Sequence, residues 1–313
     1  MKQLAIWAGI AVLAVFVPFV ATPTIIQFAI NALMLASLAQ AWNIIGGYTG
    51  YTSFGNSVFY GLGSYGTAIV MVNYDWPFPV GLAVGAVLAV AFAVALGLPV
   101  LRLKGHYFAI ATLGLAQVMG AIVSNLEIAG RNIGLVLPLQ RSDTMFYELF
   151  LGLLVAVTLT LLWIRSSRFG YGLIAIREDE DAAASIGVNT TMYKVLAFAL
   201  AGFFSALAGG IHAYWITFID PGSSFDITLN VKMIIMAVFG GPGTVFGPII
   251  GAMVLSAISE VLSSEISTVA SLFFGVVIVI AVVLMPRGVT HLWSRFPAQR
   301  WKYFSANVRA NKL

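Results

Sequence analysis

Apolar runs of spanning length recur along this chain, separated by short polar or glycine-rich intervals. A helix that crosses a bilayer needs roughly 20 apolar residues at about 1.5 Å each. That criterion predicts helices at about 4–21, 24–45, 51–72, 77–101, 105–125, 147–164, 195–219, 227–240, 245–263 and 268–286. The segment 227–240 is too short to cross unaided, so it reads as a half-helix or a re-entrant piece. The run from Leu4 to Ala21 follows Lys2 as in a signal peptide. It is long, however, and Ala21-Thr-Pro23 is a poor cleavage site, so it reads as the first spanning helix. The pattern predicts an all-α, polytopic integral membrane protein of about ten segments, some of them glycine-broken or re-entrant, with residues 1–313 as one domain.

The interval 165–194 differs from the others. It carries Arg165, Arg168, Arg177, Glu178, Asp179, Glu180 and Asp181, flanked by Leu173, Ile174 and Ile176 on one side and by Ala182, Ala183, Ala184 and Ile186 on the other. Gly187-Val-Asn189 supplies a helix stop. This reads as one short surface helix built to touch another protein, with its acids mid-helix, where the macrodipole gives no reason for them. The small residues would let a neighbour approach closely. Taken on charge alone, the run is equally a solvated loop between two spans.

Composition agrees with the membrane reading: 60% of residues are hydrophobic and 9% charged, against about 25% charged in a soluble domain. There is no cysteine, which excludes disulfides and thiol chemistry, and His106, His212 and His291 are too scattered to hold zinc. The net charge of +4 does not point to nucleic acid, because the basic residues fall at segment edges. With ten segments, Lys2, Arg102, Lys104, the basic residues of 165–194 and those of 287–312 share one side. Arg131 and Arg141 fall on the other, and Lys232 lies within a segment. The bias of Lys and Arg toward the cytoplasm then puts both termini, the 165–194 loop and the basic tail 287–313 inside, the tail against anionic headgroups.

Glycine breaks the pattern twice, in Gly46-Gly-Tyr-Thr-Gly-Tyr-Thr-Ser-Phe-Gly55 and in Gly240-Gly-Pro-Gly-Thr-Val-Phe-Gly-Pro248. Gly46, Gly47, Gly50, Gly240, Gly241 and Gly243 are the candidate hinge or broken-helix positions. Paired interruptions of this kind point to a solute site between halves; close packing through small residues is the competing explanation. Asn43, Thr49, Thr52, Ser53, Asn56 and Ser57 cluster beside the first break, with Asn31 and Gln40 before them. They are the candidate substrate path, since uncharged polar groups at membrane depth either bond between helices or line a passage. Gln117 and His212 stand alone and are assigned to interhelical bonding. The chain carries no mid-membrane series of carboxylates for a proton-driven carrier, no catalytic constellation and no metal cluster. No lysine follows a glycine, so a phosphate-binding loop is absent and any ATP must be hydrolysed elsewhere.

Several blocks carry a family resemblance. Asp181-Ala-Ala-Ala-Ser-Ile-Gly187 resembles the Glu-Ala-Ala-x-x-x-Gly coupling motif of ABC importer permeases, with Asp for Glu. Ser167-Arg-Phe-Gly170, Ala175-Ile-Arg-Glu-Asp-Glu180, Tyr193-Lys-Val-Leu-Ala-Phe198 and Gly105-His-Tyr-Phe-Ala-Ile-Ala-Thr-Leu113 resemble the LivM-type permease of branched-chain amino acid ABC importers. So do Gly46-Gly-Tyr-Thr-Gly50 and Gly240-Gly-Pro-Gly-Thr244, and the blocks follow the family's order over nearly the whole chain.

The resemblance implies a transport subunit, not an enzyme, in a bacterial inner membrane. Its expected partners are a second, LivH-like permease, two ATPase subunits that carry ATP and magnesium, and a periplasmic or extracellular substrate-binding protein. Residues about 172–190 would dock as a coupling helix. Arg177, Glu178 and Asp181 would make charged contacts with an ATPase, and Ala182, Ala183 and Gly187 would pack closely. Gln117 and Gly120 stand where the resembled pattern often has Glu and Arg, and Arg131 stands where it has a second glycine. These departures keep urea, short amides and other amino acids open as substrates beside leucine, isoleucine and valine. A gradient-driven channel or carrier also stays open.

Overall fold

Proline, glycine and short polar side chains set where the helices begin and end. The computed structural model describes residues 14–140 and 142–265. The expected segment 268–286, the tail 287–313 and residues 1–13 of the first segment lie outside them. After a helical turn at Val17–Val20 come α1 (Pro23–Ile45), α2 (Asn56–Asn73), α3 (Phe78–Val100) and α4 (His106–Asn125). These are followed by α5 (Asp143–Ser166), α6 (Arg168–Glu178), α7 (Glu180–Ser185) and α8 (Thr190–Ile216). The last are α9 (Pro221–Ser224), α10 (Ile227–Gly240) and α11 (Gly247–Glu265). A two-residue antiparallel pairing, β1 (Leu135–Val136) with β2 (Phe218–Ile219), ties together the loops at one end. The chain is an all-α polytopic membrane protein, with six helical stretches among the described residues long and apolar enough to cross a bilayer.

Side-chain caps follow the sequence closely. Ser142, Ser167, Asn189 and Asp226 each accept a hydrogen bond from a backbone N–H in the first turn of the helix they precede, and Pro23 occupies the first turn of α1, where a missing N–H costs nothing.

Helix α1 is the buried pillar. Ile30, Ala36, Leu38, Ala39, Ala41, Ile44 and Ile45 have no exposure, and Ser37, Gln40 and Asn43 are buried among them. A helix apolar nearly all round belongs inside a bundle. By contrast α3 and α4 turn Val87, Leu88, Tyr107, Ile110 and Val118 outward, as a bilayer requires of lipid-facing positions.

Glycines and alanines bring α2, α3 and α8 into backbone contact. A Cβ on Gly63 would collide with the Ala206 backbone of α8, one on Gly209 with the Tyr60 carbonyl, and one on Gly85 would lie 2.8 Å from the Gly63 carbonyl oxygen. Within a membrane the hydrophobic effect does not drive helices together, so close approach and dispersion must. A further bond crosses here: Ser64 Oγ donates to the Gly209 carbonyl at 3.0 Å. Gly63→Val should therefore cost about 1–3 kcal/mol through overpacking and lower the thermal midpoint of the detergent-solubilised protein. Gly152→Ala, at a helical position with nothing within 4 Å, should be neutral or stabilise by up to about 1 kcal/mol.

Candidate functional site

The expected helix over 51–72 begins at Asn56 instead. After Ile45 the N–H groups of Gly46 to Thr49 still bond back to α1 carbonyls; the chain then turns at Gly50 with φ +74° and runs non-helically until α2 starts. Asn56 lies beside Ser205 in the middle of α8, its Nδ2 donating to Ser205 Oγ at 3.5 Å, so α2 starts at depth. Backbone that leaves a helix inside an apolar protein must find partners there, and side chains of three helices supply them. Trp42 Nε1 donates to the Ser53 carbonyl at 2.8 Å. Phe54 N–H donates to Thr112 Oγ1 of α4 at 3.0 Å. Asn230 of α10 closes the remainder: its Nδ2 donates to the Phe54 carbonyl and to Ser57 Oγ, each at 2.6 Å, and its Oδ1 accepts from Ser57 N–H at 2.8 Å.

Five of the six candidate path residues are buried, namely Asn43, Thr49, Ser53, Asn56 and Ser57; Thr52 is exposed. In this conformation each of the five has a side-chain bond to protein. Thr49 Oγ1 donates to the Ile45 carbonyl at 2.5 Å and Ser53 Oγ accepts from Gly55 N–H at 3.2 Å. Asn56 Oδ1 is buried with no protein partner. His212 bonds Tyr60 across α2 and α8, as an interhelical role predicts.

The two glycine runs meet. Asn43 Nδ2 donates to the Thr244 carbonyl at 2.8 Å and its Oδ1 accepts from Gly243 N–H at 2.8 Å. A side chain on Gly47 would strike both Asn43 and the Gly243 nitrogen, and one on Gly240 would strike the Gly247 carbonyl. Gly46 is held against the Trp42 ring, and Gly241 and Gly243 take φ of +124° and +75°. Packing and backbone geometry together account for all six candidate glycines.

Arg177 lies across this junction. Its Nη1 donates to the Gly47 carbonyl at 3.1 Å, and a methyl on Gly243 would come within 2.6 Å of the same nitrogen. Its Nη2 bonds Glu178 at 3.0 Å, and about a third of the side chain stays exposed. The bulk of the guanidinium fits only because Gly50 and Gly243 lack side chains.

The polar interval is two helices, not one. Asp179 is extended (φ −161°, ψ 113°) and caps α7, its carboxylate accepting from Asp181 N–H and Ala182 N–H at 2.9 Å each. Glu180 and Asp181 therefore occupy the first turn of α7, where the helix dipole favours them. The mid-helix expectation failed because Asp caps as readily as it sits on a surface. Gly187, with φ +90°, ends α7. Ala182, Ala184, Ser185 and Ile186 are exposed, while Ala183 is buried.

Lys194, expected in the polar loop, lies in the first turns of α8 with 4% of its side chain exposed. Its Nζ donates to Glu180 at 2.6 Å, to the Leu101 carbonyl at the end of α3 at 2.8 Å, and to Tyr51 Oη at 3.2 Å. Tyr51 donates in turn to Glu180. Burial alone would raise the Glu180 carboxyl, but the hydrogen bonds from Lys194 and Tyr51 outweigh it and hold the group below its ordinary 4.5.

At mid-length on α4, Ala116, Gln117, Gly120 and Ser124 face Gly222, Phe225 and Asp226 across a groove of about 310 Å³. Gln117 and Gly120, the positions that depart from the resembled pattern, line it together. Arg131 takes φ +54°, the left-handed conformation a glycine would adopt, and pairs with Glu127. Asn230, Thr112 and Lys194 were not among the candidates. The signal for each was a polar residue inside an apolar run.

Two consequences are measurable. Asn230→Leu strands the Phe54 carbonyl and the Ser57 N–H, each at about 1–3 kcal/mol, and should sharply lower the thermal midpoint. Because folding depresses the Glu180 value, its stabilisation is complete above the unfolded carboxylate range and is lost as pH falls through the folded value. Acid unfolding below about the ordinary 4.5 should therefore be steeper in wild type than in Glu180→Gln.

Comparison with known proteins extends the geometry. Over 320 aligned residues the chain is 28% identical to the high-affinity branched-chain amino acid transport system permease protein LivM of Escherichia coli, covering 92% of this chain and 75% of that one. It is 29% identical to LivM of Salmonella typhimurium over the same shares. It also matches the autoinducer 2 import system permease protein LsrC of Salmonella paratyphi B, at 28% over 62% of this chain and 58% of the relative. Residues 24–282 match the family described as branched-chain amino acid transport system / permease component. By that match the chain belongs to this permease family.

Proposed function

We propose that this chain is a permease subunit of an ATP-driven importer that takes up branched-chain amino acids by alternating access. It would act as one membrane domain in a bacterial inner membrane, with the α6–α7 loop and both termini cytoplasmic. The observation that carries the reading is the α6–α7 elbow. It presents a short row of exposed small residues, and it is bonded from beneath to the non-helical segment 46–55. An elbow so built can receive a partner on its outer side and pass displacement inward. Family membership supports the same reading, as do the LivM relatives for leucine, isoleucine and valine.

The remaining parts follow from the ABC importer plan. A second, LivH-like permease would complete the membrane unit. Two ATPases would carry ATP and magnesium, one of them docking on the α6–α7 elbow through Arg177, Glu178, Asp181, Ala182 and the residues to Gly187. A binding protein would deliver substrate at the opposite face. ATP-driven closure of the ATPases would shift the elbow and switch the permease between its two accessible states.

A second substrate reading has its own support. Gln117 and Gly120 line the α4 groove in place of a charged pair, and an importer relative handles a different solute. A neutral polar solute such as urea or a short amide suits a groove that offers amide and hydroxyl groups.

Uptake into proteoliposomes decides both points. Labelled leucine should accumulate with the partner subunits and ATP and not with this chain alone; accumulation of urea in its place would establish the second reading. Ala182→Arg, on the exposed side of α7, should leave the chain folded and reduce ATP-driven uptake at least tenfold. Undiminished uptake in that variant would remove α7 from the docking surface.

A further inference from the structure

The docking reading assigns a use to the outer side of α7 and none to the charges beneath it. Glu180 and Lys194 keep only 16% and 4% of their side chains exposed, and a buried ion pair is a poor choice for stability alone, since apolar side chains of like size serve as well. What distinguishes this pair is the set of elements it joins. Glu180 is the first residue of α7, Lys194 belongs to α8, the Leu101 carbonyl ends α3, and Tyr51 lies in the non-helical segment five residues before α2 begins.

The elbow has a second inner attachment, and it reaches the same segment. Arg177, near the end of α6, donates to the Gly47 carbonyl, and its Cγ would lie 2.9 Å from a methyl on Gly50. Both attachments therefore land on residues 46–55: Gly47 is bonded back to the Asn43 carbonyl of α1, whereas Tyr51 lies beyond the last such bond, that of Thr49. The far end of that segment is held by Thr112 of α4 and by Asn230 of α10. A displacement of α7 consequently has a bonded route to the start of α2, to α4 and to α10, and the last two contribute residues to the α4 groove.

We propose that the Glu180–Lys194–Tyr51 cluster, with Arg177 beside it, is the joint through which α7 moves the segment 46–55. The joint rests on the importer reading and adds to it the residues that transmit the stroke. Glu180, Lys194 and Tyr51 are positioning residues: none meets substrate or ATP. They keep α7 and the segment moving as one body, so that hydrolysis outside the membrane is converted into rearrangement within it.

The test uses the assembled transporter in proteoliposomes, with ATP hydrolysis and labelled-leucine uptake measured on the same vesicles. Glu180→Gln and Lys194→Gln should retain assembly and hydrolysis, while uptake per ATP falls at least tenfold. Tyr51→Phe should fall less, because the Lys194–Glu180 bond remains. The exchange Glu180→Lys with Lys194→Glu should recover much of the ratio, which a defect in folding would not. Single variants that assemble and keep the wild-type ratio overturn the joint. Absence of ATP-driven uptake in the wild type would instead refute the importer reading, so the two failures are told apart.

Should the single variants not assemble, a conformational measurement on the unsubstituted joint decides. The chain contains no cysteine, so spin labels on Thr52→Cys and Ser185→Cys, both exposed, report one distance. A narrow distribution that is unchanged by ATP supports the joint, and a distance that shifts with ATP overturns it.

Discussion

The rest of this structure depends on a stretch of non-helical backbone that must be satisfied inside an apolar protein. Once the chain leaves α1, the N–H groups of Gly46 to Thr49 still bond back to α1 carbonyls and Gly50 and Thr52 are exposed, but the backbone about Ser53 and Phe54 must find its partners within the protein. Trp42, Thr112 and Asn230 meet that demand from α1, α4 and α10. Each is therefore fixed in place by a backbone group that only it serves. This explains why polar side chains appear where the apolar pattern has no room for them. It also fits the depth at which α2 begins: the segment gives way to helix where the Phe54 carbonyl reaches Asn230.

A second constraint divides the molecule into firm and yielding parts. Helix α2 approaches α3 and α8 so closely, through Gly63, Gly85 and Gly209, that no side chain separates its backbone from theirs at those points. Sliding would force atoms through one another, which makes the three helices one body. Helix α4 is different, since only 28% of its central window is buried against 72% for α8. It reaches the rest through Thr112 and through the wall of the groove. Motion between two accessible states is thus easier at α4 and α10 than within the glycine-packed block.

Much of this was legible in the sequence. Apolar run length located most spanning helices, and the segment 227–240 is α10, which with Pro221–Ser224 makes a stretch long enough to cross. The two glycine runs were recognisable, although their mutual contact through Asn43 was not, because a bond across 201 positions has no local signature. The interval 165–194 was legible as a surface feature and not as an elbow. Asp179 belongs equally to a charged surface run and to a helix cap, and only the extended backbone at that residue separates the two. Lys194 was counted among loop charges because its run of apolar neighbours begins with it. Its burial depends on Glu180 and Leu101 arriving from other elements, which periodicity does not report.

The division of polar chemistry between two regions bears on how such a permease can change its solute. Gln117 and Gly120 lie on the groove at mid-length of α4, whereas Glu180, Lys194 and Arg177 lie at the end where α1, α3 and α6 terminate. The segment 46–55 and Asn230 connect them through backbone groups, not through the side chains that face the groove. A substitution at residue 117 or 120 therefore alters the groove's hydrogen-bonding groups without removing any bond in the connecting route. The converse does not hold, since loss of Asn230 would disturb both the route and the wall beside Ile227. Polar changes on α4 are for that reason the ones this architecture tolerates, and Gln117 and Gly120 are two of them.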